Sequence, residues 1–163
     1  MYICKKLLKI TRHTVFVILF IFFSTLQVKS FEKYNKAAKI ADYFSGIVLL
    51  NESKYHESYK YLQNLDGLEQ SHPTFSSKYL YSLINSGKFN QAYNFSKKIE
   101  KKNLDSFESD LIIGIYYLNS SKFDLSKKYF LKAKNRTSRT ILDYYVVNTL
   151  LIWSDLRNIT LDT

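Results

Sequence analysis

The feature that most constrains the fold of this chain is a short motif that returns every 34 residues. A small residue, a lysine and an aromatic residue follow each other three times: Ser53-Lys54-Tyr55, Gly87-Lys88-Phe89 and Ser121-Lys122-Phe123. Each motif is preceded by an asparagine and followed, three residues after the aromatic, by a small residue: Asn51, Asn85, Asn119, Ser58, Ala92 and Ser126. Such a period is typical of folds that stack one supersecondary unit.

The segments around each motif predict a helical hairpin. Apolar stretches with helical spacing precede the motifs, at Ile40–Leu50, Tyr79–Ile84 and Leu111–Leu118. Amphipathic stretches follow them, with apolar residues at Tyr59, Leu62, Leu65, Ala92, Phe95, Ile99, Tyr129, Phe130 and Ala133. Apolar residues that recur every three or four positions form one face of an α-helix.

Small residues are expected at the contact between the two helices of a hairpin. Gly46 and Gly114 stand nine residues before an aromatic of the motif. A glycine inside a helix costs about 1 kcal/mol relative to alanine, so its return 68 residues later indicates a packing requirement. Together with Ser58, Ala92 and Ser126 these glycines should let the helices approach closely, while the aromatics Tyr55, Phe89 and Phe123 fill the space where the helices diverge.

The whole composition agrees with an all-α fold. The chain has 4 Gly and 1 Pro, whereas Tyr and Phe number 14 and 12. A β fold with many turns requires more of the residues that break the backbone. The 46% hydrophobic content is sufficient for a packed core.

With these residues the chain resembles a divergent tetratricopeptide repeat protein, whose 34-residue unit pairs two helices across a Gly-x-aromatic turn followed by a small residue. The resemblance covers about residues 40–155. It departs from the family at the tryptophan position, which holds Asp42, Ser76, Asp110 and Tyr144, and at the proline that ends each repeat. It implies a right-handed α-solenoid of about 3.5 repeats, over residues 39–72, 73–106 and 107–140 with a partial unit at 141–156.

In this family the first helices of the repeats line a concave groove that binds peptides. Carried over by register, the groove consists of Tyr43, Ile47, Asn51, Ser77, Tyr81, Asn85, Leu111, Ile115, Asn119 and Tyr145. An apolar groove of this kind suits an amphipathic helix or an apolar peptide. Some of these side chains could equally be core between neighbouring repeats. The family's clamp for a terminal carboxylate is not carried over, because Tyr43, Ile47 and Ile112 replace its polar groups.

The asparagine column has two interpretations. Asn51, Asn85 and Asn119 could hydrogen-bond the backbone of an extended peptide. They could also cap their helices, since asparagine tolerates the left-handed conformation found at helix ends.

No catalytic, cofactor or metal site is expected. His56 and His72 have no carboxylate or cysteine at a suitable spacing, and the four glycines are too dispersed for a phosphate-binding loop. The lysine pairs at 97/98, 101/102 and 127/128 are interpreted as a solvated face of the second helices, so no nucleic-acid partner is expected.

The first 30 residues have the layout of a secretory signal. Lys5, Lys6, Lys9 and Arg12 precede the apolar run Val15–Phe23, and a polar tail follows up to Ser30. Residues 14–28 are the alternative, an uncleaved membrane anchor, although about 22 Å of helix is short for a bilayer core of about 30 Å. Residues 31–39 are assigned as a linker or the start of the first helix. Both readings place the repeat domain, residues 40–163, outside the cytoplasm, in a bacterial periplasm or anchored to the inner membrane.

A fourth first helix, Ile141–Trp153, has no partner helix after it in the sequence. It is apolar almost all round, and Tyr145, Ile152 and Trp153 are expected at an open interface that favours self-association or a partner. The chain could therefore be a fragment of a longer solenoid. The predicted function is a non-catalytic scaffold that binds a peptide or protein in the cell envelope. The alternative is a membrane-tethered accessory subunit of a larger complex.

Overall fold

A computed structural model describes residues 36–65, 67–72, 74–136 and 140–159, and throughout these ranges the regular structure is helical, without a strand. The predicted all-α fold is confirmed for this part of the chain. The described residues from Tyr43 onwards belong to one compact unit, and those up to Asp42 belong to another. The predicted leader lies outside the described residues. Among the helices that are described, none is long and apolar enough to cross a membrane.

The described ranges contain seven α-helices and one short 3₁₀ helix, Leu68–Gln70. The α-helices are α1 (36–51), α2 (Tyr55–Leu62), α3 (Phe75–Asn85), α4 (Phe89–Lys101), α5 (Phe107–Asn119), α6 (Phe123–Lys134) and α7 (Ile141–Ile159). From α2 onwards each helix packs against the next one in the chain, and α3 also contacts α5.

The recurring motif is a helix-ending turn whose backbone geometry repeats three times. Ser53, Gly87 and Ser121 are left-handed, with φ of 59°, 71° and 57°. The lysine that follows each of them donates its backbone N–H to the carbonyl five residues earlier, at 2.9 Å in all three turns. A left-handed residue with this bond is the Schellman motif, which satisfies the last carbonyls of a helix.

The interpretation of the asparagine column as left-handed caps is therefore wrong. The left-handed residue lies two positions after Asn51, Asn85 and Asn119, and these asparagines are still helical. The backbone of the turn satisfies the helix end without them. Asn103, at the end of α4, is the described asparagine that does adopt the left-handed conformation, with φ of 57°.

Two glycines permit the close approach of paired helices, as predicted. A Cβ added to Gly46 would lie 2.6 Å from the Leu62 side chain, and one added to Gly114 would lie 2.4 Å from the ring of Phe130. A serine hydroxyl on the second helix also forms a hydrogen bond to each glycine across the helix–helix contact. Ser58 donates to the Gly46 carbonyl at 2.8 Å, and Ser126 donates to the Gly114 carbonyl at 2.9 Å.

In the hairpin of α3 and α4 the large residue lies on the first helix and the small residues lie on the second, the reverse of the other two hairpins. Leu80 occupies the glycine position on α3, while Ala92 and Ser96 occupy the facing positions on α4. All three are buried. Ala92 belongs to the main hydrophobic core, which α2, α3 and α4 share with the loop that joins α2 to α3: Leu62, Leu65, Phe75, Leu80, Leu83, Ala92, Phe95 and Ile99.

Replacing Gly114 by alanine tests the close contact. Helix propensity alone would stabilise the protein by about 1 kcal/mol, but overpacking against Phe130 costs about 1–3 kcal/mol. We expect a net loss of stability of up to about 2 kcal/mol, measured by chemical denaturation.

The double variant Gly114→Ala/Phe130→Leu is the control. The smaller leucine frees space beside the methyl group of Ala at position 114. The losses of unfolding free energy should therefore be non-additive, and Phe130→Leu should lower stability less in the Gly114→Ala background than in the unmodified protein. Additive effects would mean that Gly114 and Phe130 are not in contact.

Candidate partner-binding groove

A groove of about 1040 Å³ runs along α3 and α5 and the carboxyl end of α1. Its apolar wall is formed by Leu50, Tyr55, Leu80, Tyr81, Ile84, Phe89, Leu111, Ile112, Ile115 and Tyr116. Polar side chains interrupt that wall, among them Lys78, Asn51, Asn90 and Asn119. Most of the lining residues belong to α1, α3 and α5, which are the first helices of the predicted hairpins.

Six of the predicted groove residues lie in this lining: Asn51, Ser77, Tyr81, Leu111, Ile115 and Asn119. The other four, Tyr43, Ile47, Asn85 and Tyr145, are not part of it. Tyr43 instead packs against the core, with its ring centroid 4.9 Å from that of His72. Ile47 is half-buried and Tyr145 lies exposed on α7. The alternative reading, in which some of these side chains are core, thus holds for Tyr43.

The asparagine column is not uniform. Asn51 and Asn119 line the groove, where an amide group offers both a donor and an acceptor to a peptide backbone. Asn85 donates its side-chain N–H to the carbonyl of Tyr81, one turn earlier in its own helix, at 2.8 Å. Binding of a peptide backbone by the column stays a prediction for Asn51 and Asn119.

Tyr55 and Phe89, two aromatics of the recurring motif, line the groove, although the sequence did not predict them there. Phe123 is buried, in agreement with a packing role, but Phe89 is 61% exposed and lines the groove. The expectation that Phe89 fills a gap between helices is wrong. No sequence signal distinguishes the two, because both are the first residue of a second helix; only the surrounding packing differs.

Tyr55 and Tyr81 form a paired aromatic surface in the groove wall. Their ring centroids are 5.7 Å apart and the planes meet at 82°. Hydrogen bonds from Ser53 and Tyr81 lower the pKa of Tyr55, and the bond to Tyr55 raises the pKa of Tyr81. Edge-to-face contact of this kind favours the observed orientation of the two rings.

Three lysines of the predicted solvated face of α4, Lys97, Lys98 and Lys102, are partly exposed and also pair with carboxylates, which the prediction did not include. The side chain of Glu69 is fully buried, with Lys102 Nζ at 2.8 Å and Lys98 Nζ at 3.3 Å. Burial alone would raise the pKa of Glu69, but hydrogen bonds from Lys102 and from backbone N–H groups lower it. Lys97 pairs with Glu100 and donates to the Tyr129 hydroxyl at 2.8 Å.

An equivalent basic pair recurs 34 residues later, with Lys132 on α6 and Arg136 just beyond its end. Lys132 and Arg136 hold Asp105 and the fully buried Asp110, with Lys132 Nζ 2.7 Å from Asp105 and Arg136 Nε 2.8 Å from Asp110. Burial raises the pKa of Asp110 even though both cations oppose that shift. Asp110 is one of the residues at the register position to which the resemblance assigns a tryptophan, and it forms an ion pair there.

The other predicted surfaces are placed as follows. Tyr145, Ile152 and Trp153 are all more than half exposed on α7. Lys127 is exposed and pairs with Asp155 at 2.8 Å. Within the described part of the chain, no three His, Cys, Asp or Glu side chains are grouped closely enough to hold a metal ion.

No protein-family model matches the chain, and no curated protein does either.

Replacing Lys102 by alanine tests whether the α4 lysines stabilise the buried carboxylate. Glu69 would lose its nearest cation and keep Lys98, so we expect a destabilisation of about 1–3 kcal/mol. Lys101→Ala, one position earlier and exposed, is the matched control and should change stability by less than about 0.5 kcal/mol.

The effect of Lys102→Ala should also depend on pH. Because the folded-state pKa of Glu69 lies below its ordinary value of 4.5, its contribution is complete above that value and is lost as the pH falls through the lowered pKa. The stability difference should therefore shrink towards about pH 3, in denaturation curves recorded across this range. A difference that stays constant with pH would exclude the charge of Glu69 as its cause.

Proposed function

We propose that this chain is a divergent tetratricopeptide-like α-solenoid that acts as a non-catalytic scaffold and binds an apolar segment of a partner protein in its groove. The observation that carries the proposal is the groove itself, about 1040 Å³ in volume, with an apolar and tyrosine-rich wall. The first helices α1, α3 and α5 form most of this wall, and Tyr55 and Phe89 of the second helices complete it. Grooves of this kind accept the apolar face of a peptide.

Support for the solenoid comes from geometry that repeats with the sequence. The Schellman turns at Ser53, Gly87 and Ser121 have the same hydrogen bond at the same distance. The contacts of Gly46 and Gly114 with the following helix are equivalent 68 residues apart. Repeated local geometry of this type favours one structural unit used several times.

Support for an apolar occupant comes from side chains that protrude into the groove. Tyr81, Phe89 and Ile115 are each between 47% and 61% exposed. Large apolar residues in a concave surface typically become buried when a partner binds. Asn51, Asn90 and Asn119 lie among them and could satisfy the polar groups of the bound backbone.

Selection from a peptide library displayed on phage tests the groove. We expect the selected peptides to be apolar and aromatic, and the substitution Ile115→Lys to weaken their binding at least about tenfold, because a buried unpaired charge opposes association. Affinity is measured with synthetic copies of the selected peptides.

The matched control is Leu131→Lys. Leu131 lies on α6 outside the groove and is 44% exposed, against 47% for Ile115. It should leave affinity unchanged. Equal binding to the Ile115→Lys variant and the unmodified protein would show that the peptides bind elsewhere.

We further propose that the repeat domain is exported, since the basic and apolar segments of residues 1–30 have the order of a secretory leader. A reporter that is active only outside the cytoplasm, fused after residue 40, should be active. Replacing Lys5, Lys6, Lys9 and Arg12 by glutamine should reduce its activity, because these charges orient the segment. Full cytoplasmic retention of the unmodified fusion would contradict export.

A further inference from the structure

Helix α7 has one packed face and one broad exposed face. Val147 and Ser154 are buried on the packed face, which contacts α6. The opposite face carries seven large apolar side chains, with exposures from 39% at Val146 to 78% at Ile141: Ile141, Leu142, Tyr145, Val146, Ile152, Trp153 and Leu156. At 100° per residue these seven fall within one continuous sector of the helix. They are called the α7 apolar face.

The area of the α7 apolar face is that of a protein interface. Seven side chains of this size expose on the order of 700 Å². The largest apolar patch of an ordinary monomer covers roughly 300–600 Å², whereas a standard interface buries about 800 Å² on each partner. One copy of the chain therefore supplies nearly the whole of one side of an interface.

The acidic side chains of α7 lie outside this face. Between residues 141 and 156 the charged side chains are Asp143 and Asp155. Asp143 stands one turn before the buried Val147, and Asp155 pairs with Lys127. Two copies of the α7 apolar face can consequently meet without burying the carboxylates of Asp143 and Asp155 against each other.

We propose that the α7 apolar face binds a second copy of this chain through an antiparallel pairing of the two α7 helices. A two-fold axis presents the same surface on both copies, and the antiparallel direction opposes the two helix dipoles. The face is centred on Thr149, a small exposed residue that permits close approach. Pairing about Thr149 places Tyr145 against Trp153 of the second copy, and Val146 against Ile152 of the second copy.

Disulfide cross-linking of the full 163-residue chain tests this geometry. In a Cys4→Ser background, which removes the natural cysteine, the double substitution Val146→Cys/Ile152→Cys should give covalent dimers under mild oxidation. The two positions are six residues apart, about 9 Å along the helix, so they cannot join within one copy. Each single variant should give on the order of tenfold less dimer, because identical positions lie too far apart in an antiparallel pair.

The matched control is Leu125→Cys/Leu131→Cys on α6. These residues are also six apart and are 40% and 44% exposed, but they lie outside the α7 apolar face. The control should give little dimer. Efficient cross-linking of the single variants would overturn the antiparallel arrangement. Absence of dimer from the double variant, or dimer from the control in equal amount, would overturn the pairing of α7 helices altogether.

Discussion

The contact on which the hairpins depend is the close approach of two helices at a residue with little or no side chain. Where α1 meets α2 and where α5 meets α6, a glycine lies directly under a large side chain, and a serine hydroxyl binds the glycine carbonyl. This carbonyl already belongs to a helix, so the serine adds a bond between helices without removing one within them. The positions of Leu62 and Phe130 follow from the space that the glycine leaves.

Ion pairs complement this apolar packing on the second helices. Basic pairs one turn apart, Lys98/Lys102 and Lys132/Arg136, each hold carboxylates from the segment that precedes or begins the first helix of the same hairpin. Glu100 also receives Lys132 and the Tyr129 hydroxyl, which joins α4 to α6. Buried carboxylates of this kind are stable only while their cations remain in place. The segments before α3 and before α5 are therefore each held to the second helix of their own hairpin by ion pairs.

The sequence was sufficient to predict the helices, their order and the close contacts, because those features depend on local periodicity and on glycine. Six groove residues followed from register alone. It was not sufficient where the outcome depends on neighbours that no period encodes. Phe89 and Phe123 share a register position but differ in burial, and Lys98 and Lys101 are alike in sequence while only Lys98 reaches a buried carboxylate. The prediction that the asparagines cap their helices is wrong for a different reason. Backbone N–H groups of the turn bind the last carbonyls of each helix, and the left-handed residue is Ser53, Gly87 or Ser121, two positions after the asparagine.

The shortness of α2 has a consequence for motion. With 8 residues it has little more than two turns, whereas α4 and α6 have 13 and 12. Helices of this length depend almost entirely on tertiary contacts. In hydrogen exchange we would look for the earliest opening in α2, ahead of the α5–α6 pair. Because Tyr55 begins α2 and stands in the groove wall, such opening would loosen one edge of the groove while the α3 and α5 surfaces keep their shape.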